Sequence, residues 1–347
     1  MVTAVDGPRP TVSVRTEAPQ SERLMTKRRS LPSIAPPGRS FTPIETRHYR
    51  DVPLRAMVAA KRDQGLVVSV CIPAHNEEDT VAKVVTRIRR YLVDRLALVD
   101  EVLVLDDHSV DGTAKVAAAA GARVVQARDV LADVAGGGGK GEALWRSLYV
   151  ARGDIVLWCD ADITDFGSRF VVGLLGPLLV DPAVSFVKGF YERPVADGSS
   201  GGRTTELMAR PVLATLFPHL STIMQPLSGE FGGRRTLLEQ LPFVRGYGVD
   251  IGLLIDTAEA VGPHGIVQVD LGTRVHRNRP LDELGPQALT VLQTALDRAG
   301  VRAANPATLL RPAHPPLVRA FAELPPLVTL PAGDPEDDER PRAPLPA

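Results

Sequence analysis

The chain has 347 residues, 44% hydrophobic and 23% charged, the balance of a globular protein with one large domain or two ordinary ones. A formal net charge of -1 gives no general electrostatic reason to expect nucleic acid or an anionic membrane as partner. Two cysteines, Cys71 and Cys159, are too few for a disulfide framework, and no run approaches about 18 uninterrupted apolar residues, so a soluble cytoplasmic protein is expected.

Residues 1–48 are rich in Pro, Ser, Thr and Arg, with a small basic cluster at Arg23, Lys27, Arg28 and Arg29. They read as a flexible solvated tail, weak docking onto an acidic partner being the alternative. The folded domain is expected over 49–330, its nucleotide-binding half at about 66–165 and its acceptor half at about 166–330. A disordered Pro-rich acidic tail follows at 331–347.

Within the domain, 66–72 reads as a strand, broken by Pro73-Ala74-His75-Asn76-Glu77-Glu78. Val81, Val84, Val85, Ile88 and Leu92 follow at helical spacing, with Asn76 or Asp79 as candidate cap. A second strand at 101–105 ends in Asp106-Asp107-His108-Ser109. An Ala-rich helix and a short strand at Arg123–Gln126 complete a succession of βαβ units, the pattern of a parallel sheet. Residues 135–142, five glycines and Lys140 among them, tempt a phosphate-loop reading but miss its spacing. Val134 stands where the first glycine belongs, and Gly141 where Ser or Thr belongs. A mobile glycine-rich loop that lets Lys140 reach a diphosphate, and a plain flexible loop, both fit.

The run 154–162, Asp-Ile-Val-Leu-Trp-Cys-Asp-Ala-Asp, organises the rest. It reads as a parallel strand buried on both faces and ending in two carboxylates. In open α/β sheets ligands bind outside the carboxyl ends of the strands. Asp160 and Asp162, two apart, point the same way. Oxygen ligands at such a rim suit Mg2+ or Mn2+ completed by substrate phosphates, although Asp-X-Asp also fits solvated strand-end residues. A helix at 170–179 and a strand at 184–190 come next, then a turn-rich loop at 197–202. Gly201, Gly202, Arg203, Thr204, Thr205 and Glu206 lead into a helix at Leu207, which is either an anion site or an ordinary capping box. A turn at 225–230, a helix at 251–260 opened by Gly246-Tyr247-Gly248-Val249-Asp250, and a strand at 266–271 follow. His276 then stands beside Arg274, Arg277, Arg279 and Asn278, a setting suited to anionic ligands. A helix at 284–298 closes the domain, and no internal repeat is visible.

The Pro-Ala-x-Asn-Glu-Glu turn, the acidic turn after the second strand and the Asp-X-Asp end resemble the nucleotide-diphospho-sugar transferases of the GT-A fold, a Rossmann-like α/β fold with a mostly parallel central sheet flanked by helices. The later motifs are more particular: Lys140-Gly-Glu-Ala-Leu-Trp, Gly-Gly-Arg-Thr-Thr-Glu-Leu, Gln-Pro-Leu-Ser-Gly-Glu, Gly-Tyr-Gly-Val-Asp and His-Arg-Asn-Arg-Pro-Leu-Asp-Glu-Leu. In this order, over roughly 50–300, they resemble the glucosyl-3-phosphoglycerate synthases of actinobacteria.

That resemblance implies a metal-dependent, retaining glucosyltransferase, a homodimer, that moves glucose from UDP- or GDP-glucose to 3-phosphoglycerate. By it, Pro73, Ala74, His75 and Glu77 hold the nucleotide, Asp107 its base and Lys140 the diphosphate. Asp162 and His276 ligate Mg2+ or Mn2+, with Asp160 contacting the donor nearby. Tyr247 to Asp250 line the sugar pocket, and Arg274 joins the donor site. Gly202, Arg203, Thr204, Thr205 and Asn278 take the acceptor. Leu227 presents a backbone carbonyl beside the sugar, so that Asp162, Leu227 and Asp250 stand nearest the chemistry. The chain departs from the family pattern at His75 (an apolar residue there), Asp107 (a small hydroxyl residue) and Asp250 (a glutamate). A relative using mannose or another acceptor, a nucleotidyltransferase and a non-catalytic nucleotide-sugar binder are the competing readings.

Overall fold

The computed structural model describes residues 42–193, 202–275 and 281–331. Eight strands form one sheet: β1 (Glu45–His48), β2 (Val68–Ala74), β3 (Glu101–Asp106), β4 (Arg123–Gln126), β5 (Ile155–Trp158), β6 (Phe186–Glu192), β7 (Phe231–Arg234) and β9 (Ile266–Thr273). Their order is β1-β9-β6-β7-β5-β2-β3-β4. Every pairing is parallel except the two made by β7, which runs antiparallel to β5 and β6. The expected mostly parallel sheet is therefore found.

The parallel strands are apolar on both faces because helices cover both. Along β2, Val68, Val70 and Ile72 pack into one core cluster while Cys71 packs into the other. Along β5, Ile155 and Leu157 face the first cluster, and Val156 and Trp158 the second. The Val81–Ile88 and Arg169–Val180 helices cover the first face; Lys140–Val150 and Val249–Val261 cover the second.

Several expectations need correction. β1 lies before the boundary placed at Tyr49: four residues, none fully buried, pair in parallel with β9 and carry no alternation to reveal them. β7 was not foreseen, since Phe-Gly-Gly-Arg has no strand-forming pattern; two glycines serve because neighbouring main chains crowd both faces there. Neither Asn76 nor Asp79 caps the Val81–Ile88 helix, whose N-cap is Thr80 and which is preceded by an unexpected helix at Leu54–Gln64. Asn76 instead adopts φ 56° and accepts the Val110 amide at 2.9 Å, joining the turns after β2 and β3. Outside the sheet, β8 (Phe243–Val244) pairs with β12 (Glu323–Leu324), and β10 (Ala307–Arg311) with β11 (His314–Arg319). The greater part of both expected tails, the stretch 194–201 and residues 276–280 lie outside the described residues.

Candidate active site

The carboxyl ends of β2, β3 and β5 open onto a cleft of about 860 Å³. Of the described residues that the sequence assigned, all but Gly248 and Val249 line it: Pro73 and Ala74 at the end of β2, His75 and Glu77 after it, Asp107 after β3, Asp160 and Asp162 after β5, and Lys140 at its helix start. Gly202, Arg203, Thr204, Thr205, Leu227, Tyr247, Asp250 and Arg274 face the same space. His276 and Asn278 lie outside the described residues.

Charge is concentrated on the floor. Arg274, 4% exposed, donates through Nη2 to Asp162 Oδ1 at 2.7 Å. Its Nη1 reaches Asp160 Oδ2 at 3.1 Å, Glu230 at 2.9 and 3.0 Å, and the Tyr191 hydroxyl at 2.6 Å. Lys140 Nζ stands 3.0 Å from Asp250 Oδ2 and 3.8 Å from Asp160. Burial works against the Asp160 carboxylate, but Lys140 and Arg274 outweigh it and hold that carboxyl down to about 2. Asp162 moves the other way, pushed up by burial and by the neighbouring Asp160 charge. Burial likewise raises Asp250, with Lys140 pulling against it. One oxygen of Asp250, Oδ1, is buried without a hydrogen-bond partner.

These donors fit a divalent cation. The Asp162 side chain is 40% exposed and Arg274 engages only one of its oxygens. The mutual repulsion that raises Asp162 is the repulsion that a hard cation relieves, and carboxylates with substrate oxygens suit Mg2+ or Mn2+. Among the described residues no three or more His, Cys, Asp or Glu are placed together so as to hold a metal ion.

The glycine-rich loop is tied rather than loose. The Gly139 amide donates to Asp107 Oδ2 at 2.7 Å, Arg146 to the Gly137 carbonyl at 2.9 Å and Arg245 to the Gly136 carbonyl at 2.9 Å. Asp107 thus pins the loop, while its own carbonyl meets His75 Nδ1 at 2.6 Å. Gly141 is glycine for a steric reason, because a Cβ there would run into the Val244 carbonyl. No Ser or Thr of a phosphate loop fits at that position.

Five contributors were not assigned from sequence. Tyr191 and Arg193 line the cleft, and Glu230 lies fully buried beneath it. Lys188, also buried, donates to the Ser228 carbonyl at 3.0 Å and sits 4.4 Å from the Phe231 ring centre. Glu142 accepts from the Gly246 amide at 3.0 Å and from Arg245 at 3.3 Å, joining the Tyr247 turn to the Lys140 helix. Glu230 and Glu142 each close a motif already singled out, which was their only signal.

Residues 69–239 match the family model "Glycosyl transferase family 2". The chain is 50% identical over 242 residues to the glucosyl-3-phosphoglycerate synthase of Mycolicibacterium smegmatis, covering 68% of this chain and 79% of that protein. The chain belongs to the glucosyl-3-phosphoglycerate synthase family. A crystal structure of the Mycobacterium tuberculosis synthase with Mn2+, UDP-glucose and phosphoglyceric acid superposes with TM-score 0.75 at 45% identity, covering 82% of this chain and 98% of that one. Another structure of that protein holds Mn2+, UDP and glucosyl-3-phosphoglycerate, with TM-score 0.75 at 44% identity, covering 82% of this chain and 99% of that one. A third holds Mg2+ and UDP, with TM-score 0.74 at 44% identity, covering 82% of this chain and 98% of that one. The sheet described above is accordingly the GT-A fold expected from sequence. No helix among the described residues is long and apolar enough to cross a membrane.

Proposed function

We propose that this protein is a metal-dependent, retaining glucosyltransferase that carries glucose from a nucleoside diphosphate to the free hydroxyl of 3-phosphoglycerate. The observation that carries the reading is one cleft whose floor holds Asp160, Asp162 and Lys140 and whose wall carries the Gly202–Thr205 helix start. The first group suits a diphosphate and a cation. The second offers main-chain N–H groups, two hydroxyls and the Arg203 fork to a phosphate.

Pro73, Ala74, His75, Glu77 and Asp107 take the nucleoside end. Lys140, kept charged by Asp250 and Asp160 despite its burial, faces the diphosphate and neutralises charge as the bond to the sugar breaks. Asp162, with His276, would hold Mg2+ or Mn2+, which supplies Lewis-acid stabilisation of the leaving diphosphate. Tyr247 and Asp250 border the sugar. Gly202, Arg203, Thr204, Thr205 and Asn278 hold the acceptor. Same-face attack guided by the Leu227 carbonyl suits the retention of configuration. Asp160 and Asp250 are paired to cations and Glu230 is buried under Arg274, which leaves each a poor nucleophile. We further assign a cytoplasmic homodimer, its stoichiometry open to light scattering.

The test is incubation of purified protein with Mn2+ or Mg2+, 3-phosphoglycerate, and UDP-glucose, GDP-glucose or GDP-mannose in separate tubes, read by mass spectrometry. A metal-dependent glucosyl-phosphoglycerate is expected. Nucleotide release without it would remove the acceptor assignment, and no turnover with nucleotide sugar still bound would leave a binder.

A further inference from the structure

The acceptor has two anionic ends, yet the residues assigned to it supply one cation, Arg203. A second guanidinium stands in the same wall. Arg193 follows β6, lines the cleft and lies with its guanidinium carbon 5.2 Å from the Tyr191 ring centre. Its Nη2 donates to the Tyr191 hydroxyl at 3.3 Å, a long contact, while its Nε is buried with no hydrogen-bond partner. A Cβ on Gly202 would lie 3.5 Å from Arg193 Nη1, so the guanidinium reaches the acceptor helix start. Its positive charge also adds, after those of Lys140 and Arg274, to the pull that lowers the Asp160 carboxyl on the donor floor. Arg193 therefore shares the cleft with both sets of residues.

3-Phosphoglycerate carries its phosphate on C3, its free hydroxyl on C2 and its carboxylate on C1. A phosphate at the Gly202–Thr205 helix start and a C2 hydroxyl turned towards the donor would leave the carboxylate one carbon beyond that hydroxyl. The cation near that place is Arg193, whose planar fork, with Nη1 beside Gly202, matches a carboxylate. We propose that Arg193 holds the acceptor's carboxylate, and so sets the preference for a phosphorylated hydroxy acid over a phosphorylated polyol. This rests on the acceptor assignment made above.

Calorimetry separates the two anionic ends. The purified full chain, loaded with Mn2+ and UDP, is titrated with 3-phosphoglycerate and then with glycerol 3-phosphate, which keeps the phosphate and a C2 hydroxyl but carries a hydroxymethyl group in place of the carboxylate. Arg193→Gln should weaken 3-phosphoglycerate about 10- to 100-fold while leaving glycerol 3-phosphate within about twofold. Arg203→Gln should weaken both, and Arg193→Lys should fall between wild type and Arg193→Gln for 3-phosphoglycerate alone. An Arg193→Gln protein that binds 3-phosphoglycerate like wild type, or that loses both ligands equally, overturns the proposal. Wild-type protein that binds neither anion overturns the acceptor assignment beneath it.

Discussion

Arg274 is counter-ion to three carboxylates at once, and Glu230, 0% exposed, depends on it. Taking one partner from a buried ion pair leaves the other charge desolvated, at a cost of about 3–5 kcal/mol. Arg274→Met should lose stability on that scale in urea titration; a loss below about 1 kcal/mol would show that Glu230 is neutral or hydrated. Asp250 tells a different story, because its Oδ2 is the near partner of Lys140. Asp250→Asn keeps the shape and removes the charge, so kcat should fall about 10- to 100-fold with the acceptor KM little changed. An unchanged kcat would remove Asp250 from the chemistry. Lys188 gives a pH signature. Burial lowers its pKa from an ordinary 10.5 to about 8, against the pull of Asp250. Between those values the unfolded chain binds the proton and the folded chain does not, so stability rises with pH across about 8 to 10.5. The stability gained by Lys188→Met over wild type should therefore shrink as pH climbs from 8 to 10. A constant gap in denaturation midpoints at those pH values would contradict the depressed pKa.

At the scale of elements, the turns after the strands do the positioning. Ser228 to Glu230 lead into β7, and a Cβ on Gly229 would overlap the Asp160 carboxylate. Gly229→Ala should displace that carboxylate and cut turnover about 100-fold or more, with the thermal midpoint changed far less; wild-type turnover would show that Asp160 can move without cost. A second tie joins the closing helix to the body. Arg298 pairs both oxygens of Asp256 at 2.7 and 2.9 Å and reaches Glu323 at 2.7 Å, linking the Leu281–Arg298 helix, the Val249–Val261 helix and β12. β2, β3, β5, β6 and β9 were legible because apolar runs bounded by turn residues have few other uses. β1 and β7 were not, since one is a four-residue strand with no fully buried side chain and the other is half glycine. The helix beyond Thr205 opens with a wide π-type turn, Thr205–Ala209, before Arg210–Leu216, a detail that spacing alone does not carry.

For the whole molecule, the fold explains why the site could be read so far. Asp160 and Asp162, Asp107 and the Pro73–Glu77 turn each end a strand, and a parallel sheet delivers such ends to one rim. Their convergence followed from topology once the strands were recognised. Glu230, Tyr191 and Arg274 meet through contacts 44 and 83 residues apart in sequence, and nothing local announces such a cluster. The departures from the family pattern gain a physical setting too. Asp107 and His75 tie the turns after β2 and β3 to the glycine-rich loop, and Asp250 meets Lys140 with the shorter carboxylate.

The most direct test of the central claim is proton NMR of the purified protein with Mg2+, UDP-glucose and 3-phosphoglycerate, following the anomeric signals before any product can be reprocessed. The account predicts that the UDP-glucose anomeric signal is replaced by that of a glucosyl-3-phosphoglycerate with the small coupling of an α-glucoside, and that chelating the metal stops the exchange. A β-linked product, free glucose alone, or transfer that persists after chelation would contradict it.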